Sequence, residues 1–369
     1  MARIFNKQKA ETLSSSDSCS ESNESLREPE NSFCKKDVPK REIRFFRADA
    51  AGNVTLLVTS HVEEADYAAV ARHLLAINEL DSDEIAGEQV AFVVDEDTMC
   101  MCGHEFCGNA SRSFALMKAQ GLISTGSSEN MQRAEDKSAL QTITINTSGV
   151  DHPLNITADA ASGFTKIKMP GNVKISDFPE KSLSKSAEPV LAGKSFQVAR
   201  MDGITHVIAY ETEPTADNFN AIKNALFNWT AEKNQTGDHS SALPPAAGVM
   251  FVESHTCRPF PADTIVMTPV VYVTEVDTTY FEGSCGSGTT ALCAALTTEK
   301  INAAAGAGNA DVNAGINICD VFQPDETFVY DVRQPKGTIR CSCNVRNGSI
   351  TDIFIEGPVS ISREYKVLL

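Results

Sequence analysis

The chain has 369 residues, with 32 basic and 49 acidic side chains, a net charge of −17 and 42% hydrophobic residues. That is enough apolar material for about two domains, and the acidic balance disfavours nucleic acid and anionic membrane, both of which need a basic face. No run approaches the ~20 apolar residues that span a bilayer, and MARIFNKQKAETLSSS lacks the apolar centre of a secretory leader, so a cytoplasmic protein is expected, with its 11 cysteines as thiols rather than a disulfide frame.

Residues 1–42 carry ETLSSSDSCSESNESLREPENS, which has almost no large apolar side chains to offset ordering entropy and predicts a disordered extension. From Ile43 the elements follow in order. IRFFRADAAGNVTLLV (43–58) predicts strand, Gly-containing turn and strand, and GEQVAFVV (87–94) a short apolar strand. CGNASRSFALMKAQG (107–121) predicts a turn opening a helix, with Ala110, Phe114 and Met117 at helical spacing and Gly121 as the stop. TITINTSG through KIKMPG closes on Gly171, and a Pro-, Lys-, Ser- and Glu-rich linker is expected at 172–194.

The same four features then return in the same order. They are SFQVARMDGITHVIAY (195–210), AAGVMFVE (246–253), CGSGTTALCAAL (285–296), and TFVYDVRQPKG through IFIEG, closing on Gly357. Recurrence in fixed order predicts a duplicated unit. The expected fold is α+β, with two pseudo-symmetric lobes at 43–180 and 181–369. Each is a curled, mostly antiparallel sheet around a central helix, and a cleft lies between them.

Cys107 precedes Gly108-Asn109, and Cys285 precedes Gly286-Ser287-Gly288; each pair of turns opens a predicted helix. Unpaired N–H groups at a helix N-terminus favour a thiolate and can hold a carboxylate. Two such turns facing one cleft would place a sulfur on each face of an α-carbon. One thiolate could take the α-proton while the other thiol returns one, which inverts the centre by general acid–base chemistry without cofactor or metal. The expected partner is thus a small amino acid; a homodimer is one expected assembly.

EFCGNASR (105–112) and EGSCGSGTTAL (282–292) resemble the two active-site motifs of the diaminopimelate epimerase-like family. AGNVT (51–55) resembles its first substrate-binding turn and DGITHV (202–207) its His-bearing turn. The resemblance covers nearly all of 43–369 and implies the two-lobed fold and a cofactor-independent pair of cysteines. It departs from diaminopimelate epimerases where Gly248, Val276 and Thr98 replace groups that grip a second amino-acid head, and GEQVAF, EFCGNA and DGITHV are closer to the branch that includes histidine racemases. Expected substrate contacts are Asn53 and Asn109, with Gly108, Gly286 and Ser287 at the carboxylate. Glu88 is expected at the ammonium or a cationic side chain, His206 beside substrate or thiol, and Glu275 at the amine. Arg112 is expected only to cap or solvate its helix.

Two rivals use the same residues. Gly283-Ser284-Cys285-Gly286-Ser287 with His206 as base resembles a cysteine hydrolase. Cys100, Cys102, His104 and Cys107 could instead ligate zinc, although four ligands in eight residues crowd a tetrahedral site.

Overall fold

The computed structural model of the chain describes residues 41–123, 140–178, 194, 196–235, 244–253, 264–274, 277–309 and 325–369. The expected N-terminal extension lies outside them except for Arg41 and Glu42. Those two are ordered, because their backbones complete a ladder with Leu369 and Leu368.

The first half contributes β1 (Glu42–Ala50), β2 (Asn53–Val58), α1 (Tyr67–Leu75), a small hairpin of β3 (Glu79–Leu80) and β4 (Asp83–Glu84), β5 (Gln89–Val93) and β6 (Thr98–Met101). There follow α2 (Gly108–Ala119), β7 (Gln141–Thr147), β8 (Leu154–Ala158), β9 (Phe164–Lys168) and β10 (Lys174–Asp177). The second half contributes β11 (Gln197–Met201), β12 (Ile204–Tyr210), α3 (Ala216–Gln235), β13 (Ala246–Val252), β14 (Thr264–Val273) and β15 (Thr278–Phe281). It ends with α4 (Gly286–Asn309), β16 (Asp325–Gln334), β17 (Gly337–Arg346) and β18 (Ser349–Leu368).

The sheet-dominated fold is built from one sequence of pairings used twice. Along β1-β2-β5-β6-β7-β8-β9 the contacts run antiparallel, parallel, antiparallel, parallel, antiparallel, antiparallel. Along β11-β12-β13-β14-β16-β17-β18 they run in the same six senses. The first series closes into an eight-stranded barrel, because β18 pairs with both β9 and β1. The second series ends open at β10, which pairs with β11. Part of the expected linker is therefore strand: Lys174–Asp177 pairs in register with Arg200–Gln197, while 179–193 lies outside the described residues.

Helix α2 runs through the barrel, and every residue from Gly108 to Met117 is buried. It lacks a polar face because it meets sheet all round. Ala110, Phe114 and Met117 belong to one apolar cluster with Met169, Ile355, Ala291 and Leu292, so α2 and α4 share a continuous core. Burying each large side chain there contributes roughly 1.5–3 kcal/mol.

One strand departs from its expected end. Gly357 does not close a strand pair; β18 continues through it for 20 residues. Before Gly357, β18 pairs with β17, and beyond it with β1. Gly357 has φ +153°, a backbone state that residues with a Cβ rarely adopt, and it marks the change of partner. Among the described residues no helix is long and apolar enough to cross a membrane.

Candidate active site

Cys107 and Cys285 cap their helices in the same way. Sγ of Cys107 accepts from the Ala110 N–H at 3.4 Å, and Sγ of Cys285 from the Gly288 N–H at 3.2 Å. The carbonyl of each cysteine is held by the hydroxyl four residues on, Ser111 to Cys107 at 2.8 Å and Thr289 to Cys285 at 2.7 Å. The sequence CGN or CGS thus selects a cap in which the side-chain sulfur takes the acceptor place that Ser or Asp fills elsewhere.

The two helix ends converge. A Cβ built on Gly108 would lie 3.1 Å from Ile355 Cδ1, and one built on Gly286 would lie 3.1 Å from the same atom. The Gly286 position also sits 3.8 Å from the Asn109 amide. Polar side chains bridge the halves alongside. Gln89 Nε2 contacts Cys107 Sγ at 3.2 Å and donates to Asn53 Oδ1 and Thr55 Oγ1 at 2.8 Å. Asn53 Nδ2 in turn donates to the Ser284 carbonyl at 3.3 Å. On the far side the Cys285 N–H donates to Gln334 Oε1 at 2.7 Å, and Gln334 Nε2 donates to Thr289 at 3.0 Å.

Electrostatics differ from the expected lowered thiols. Burial pushes Cys107 up to about 11, even though the N–H groups of Ala110 and Asn109 and the Gln89 amide pull the other way. Burial raises Cys285 further, and the Glu282 carboxylate, which accepts a hydrogen bond from it, adds to the rise. Desolvation outweighs the helix ends, so both sulfurs rest as thiols. Glu282 responds in the opposite sense to an ordinary carboxyl: burial lifts it from 4.5 to about 7, with Glu88 adding to the rise. Its Oε2 is buried without a partner.

Several expected residues fall into place differently. His206 is fully buried, and its Nε2 lies 3.0 Å from Ser287 Oγ, which is 3.4 Å from Cys285 Sγ. Burial lowers it to about 3, so it rests neutral, and its Nε2 faces Ser287 rather than the Cys285 sulfur that the hydrolase reading has it serve. Gly248 is explained by the same ring: a Cβ there would meet His206 Nδ1 at 2.2 Å. Glu88 is not free for substrate but paired with Lys336 at 2.5 Å. Lys336, from the turn between β16 and β17, donates its N–H to the Gly283 carbonyl. Arg112 does not solvate its helix. It is completely buried and donates to Thr165 at 2.9 Å, Asn109 at 3.2 Å and the Gly357 carbonyl at 2.7 Å. Glu275 lies outside the described residues.

The zinc reading fails on direction, since Cys107 turns to Gln89 whereas Cys100 turns to His104 at 3.3 Å. Gln89, Glu282, Gln334 and Arg112 were not singled out as site residues in the sequence. Gln89 and Glu282 lie within the motif strings GEQVAF and EGSCGSG, one residue after Glu88 and three before Cys285, so their positions carry a signal; Gln334 lies in the repeat string TFVYDVRQPKG, with no motif around it.

The mirrored caps place two thiols over one joint core of a barrel-containing α+β fold, and the likeness to known proteins makes the chain an isomerase of the racemase and epimerase class. A family model described as the histidine racemase CntK N-terminal domain matches residues 42–307, and the chain belongs to that family. A histidine racemase from Fusobacterium nucleatum is 27% identical over 330 residues, covering 88% of this chain and 97% of the relative. A histidine racemase from Staphylococcus aureus is 32% identical over 82 residues, covering 20% of this chain and 28% of that one. Among solved structures, one described as a predicted epimerase from Pseudomonas aeruginosa covers 89% of this chain and 99% of its own, with a TM-score of 0.51 at 13% identity; that likeness concerns the fold alone.

Proposed function

We propose that the chain racemises a single-headed amino acid, histidine first, through Cys107 and Cys285 and without a cofactor. The carrying observation is the pair of mirrored cysteine caps whose helix ends meet at Ile355. On this reading the two runs of strands are duplicated lobes. The N–H groups at the two helix ends hold the substrate carboxylate, as helix N-termini hold anions, and stabilise charge that develops on it when the α-proton leaves.

The two thiols have different neighbours and so different roles. Cys285 hands its proton to Glu282 and then, as thiolate, abstracts the α-proton. Cys107, beside the neutral amide of Gln89, stays protonated and delivers a proton to the opposite face. For the other enantiomer the flow runs back from the state this leaves: the Cys107 thiolate is the base, and the Cys285 thiol, which carries the abstracted proton, is the acid. Histidine is favoured by the family match and by the room that Gly248 yields to His206 in place of a group for a second amino-acid head.

L-Histidine incubated with the enzyme in deuterated water should yield D-histidine carrying deuterium at Cα, read by chiral chromatography and mass spectrometry. A higher kcat/KM for L,L-diaminopimelate than for L-histidine would overturn the substrate assignment.

Glu282→Gln should lower kcat by about 10²-fold, the lower range for loss of a proton-transfer group. It should also remove the rise in kcat/KM as pH passes about 7, where the native carboxyl gives up its proton. The effect on stability has a definite sign. A carboxyl raised from 4.5 to about 7 binds its proton more tightly in the folded state. Its contribution is therefore complete below about 4.5 and lost as pH rises to about 7. Glu282→Gln should have a higher Tm than the parent at pH 8, and the difference should shrink or reverse at pH 4.5.

A further inference from the structure

Strand β6 and the turn after it carry a second arrangement of reactive groups that the racemase reading does not use. Side chains alternate along this strand. Met99 and Met101 enter the core around α2, whereas Cys100 and Cys102 face the other way, against the cluster formed by α1, Tyr67 and Phe92. The turn closes with the His104 N–H bonded to the Met101 carbonyl, and His104 has φ +59°. That left-handed conformation, uncommon for a residue with a side chain, carries the imidazole back to Cys100. Cys100 Sγ lies 3.3 Å from His104 Nδ1, and His104 Nε2 lies 3.3 Å from Glu64 Oε1. Tyr67 stacks on Phe92 at 3.7 Å and lies 6.5 Å from the His104 ring, forming a wall beside the triad.

With hydrogen on Nε2, the nitrogen that faces the Glu64 carboxylate, Nδ1 is the acceptor available to the Cys100 thiol. Carboxylate, imidazole and thiol stand in the order that activates a cysteine nucleophile. The surroundings are acidic. Burial and the charges of Glu64 and Glu105 hold the Cys100 thiol above its ordinary range. A standing thiolate is therefore disfavoured, and attack depends on His104 taking the proton as the bond forms. The same charges repel an anionic reagent and attract a cationic one.

We propose that Cys100, His104 and Glu64 form a second nucleophilic site, on the face of β6 away from the catalytic thiols, that exchanges with small cationic disulfides. His104 Nδ1 takes the Cys100 proton, and Sγ bonds to one sulfur of the disulfide. The reagent's S–S bond breaks, and the departing thiolate takes the proton back from His104. Cys100 is oxidised to a mixed disulfide, the reagent is reduced to one free thiol, and added thiol reverses the step.

The full chain, treated with cystamine or with glutathione disulfide at pH 7 and low salt, tests this by timed peptide mass mapping. The first adduct should be on Cys100, formed about tenfold faster from cystamine than from the anionic reagent, with added salt narrowing the gap. His104→Asn keeps a residue that tolerates positive φ and removes the base, so it should slow the adduct at least about tenfold. Glu64→Gln lies on the surface, leaves the fold intact and should slow it about threefold. First labelling at Cys102 or Cys107, equal rates with the two reagents, or an unchanged rate in both variants overturns the proposal. So does one equivalent of zinc retained by the dialysed chain and lost on Cys100→Ser, which would make these residues a metal site.

Discussion

Serine at position 107 or 285 should lower the kcat/KM for racemisation by about 10³-fold or more in both directions, within the range for removal of a proton-transfer group. The oxygen of serine can still accept from the Ala110 or Gly288 N–H, so the helix cap survives and the variants should keep nearly the parent Tm. What is lost is acidity: an alkoxide is far harder to form than a thiolate, so proton transfer to the Glu282 carboxyl, at about 7, is more uphill from an alcohol than from the Cys285 thiol, itself raised by burial. The two substitutions should differ in one respect. A substrate analogue with a leaving group on its β-carbon needs only a base, so a single variant that retains the other sulfur should still eliminate it. Near-parent racemisation by either variant would end the two-base scheme.

Arg112→Ala should destabilise the protein by about 3–5 kcal/mol, from buried acceptors losing a charged donor at roughly 1.5–3 kcal/mol each and from the cavity it leaves. The guanidinium is fully buried and serves Thr165 on β9, Asn109 on α2 and the Gly357 carbonyl on β18. Burial lowers it to about 10, with Glu356 and Cys107 opposing the fall, so it remains charged at neutral pH. Its removal takes the charged donor from the Asn109 and Thr165 oxygens, leaves the Gly357 carbonyl with only the Thr165 hydroxyl at 3.3 Å, and opens a hole where the barrel closes. Arg112→Lys should recover only part of the loss, because one ammonium cannot reach three acceptors in the fork geometry of a guanidinium. Denaturant unfolding measures both, and a loss below about 1 kcal/mol for the alanine variant would mean that water replaces the side chain.

The repeat was legible in the sequence because strands, Gly turns and Cys-Gly turns each leave a local signature. The pairing senses of β1 to β9 and β11 to β18 follow the order in which those signatures occur. The residues that tune the site were less legible. Glu88 and Gln89 are neighbours at the start of β5, and composition favours the charged one as a ligand. Strand alternation gives the sulfur to Gln89, while Glu88 meets Lys336, a residue 248 positions away. Glu282 is an unremarkable acid in sequence; burial beside Cys285 makes it a proton acceptor near neutral pH. Arg112 read as a helix-surface cation because nothing within α2 alone announces the barrel that encloses it. Gly357 read as a stop because a glycine at the end of a ladder and a glycine where a strand changes partners have the same local pattern.

The long strand β18 bears on how the chain is made. The first seven barrel strands are complete by Lys168, but the eighth is the stretch of β18 from Phe354 onward, near the other end of the fold. A nascent chain that has delivered only the first half therefore has two open edges, β1 and β9, and a helix it cannot enclose. Closure waits for about 190 further residues, and long-range pairing of this kind slows folding and prolongs exposure of unpaired edges.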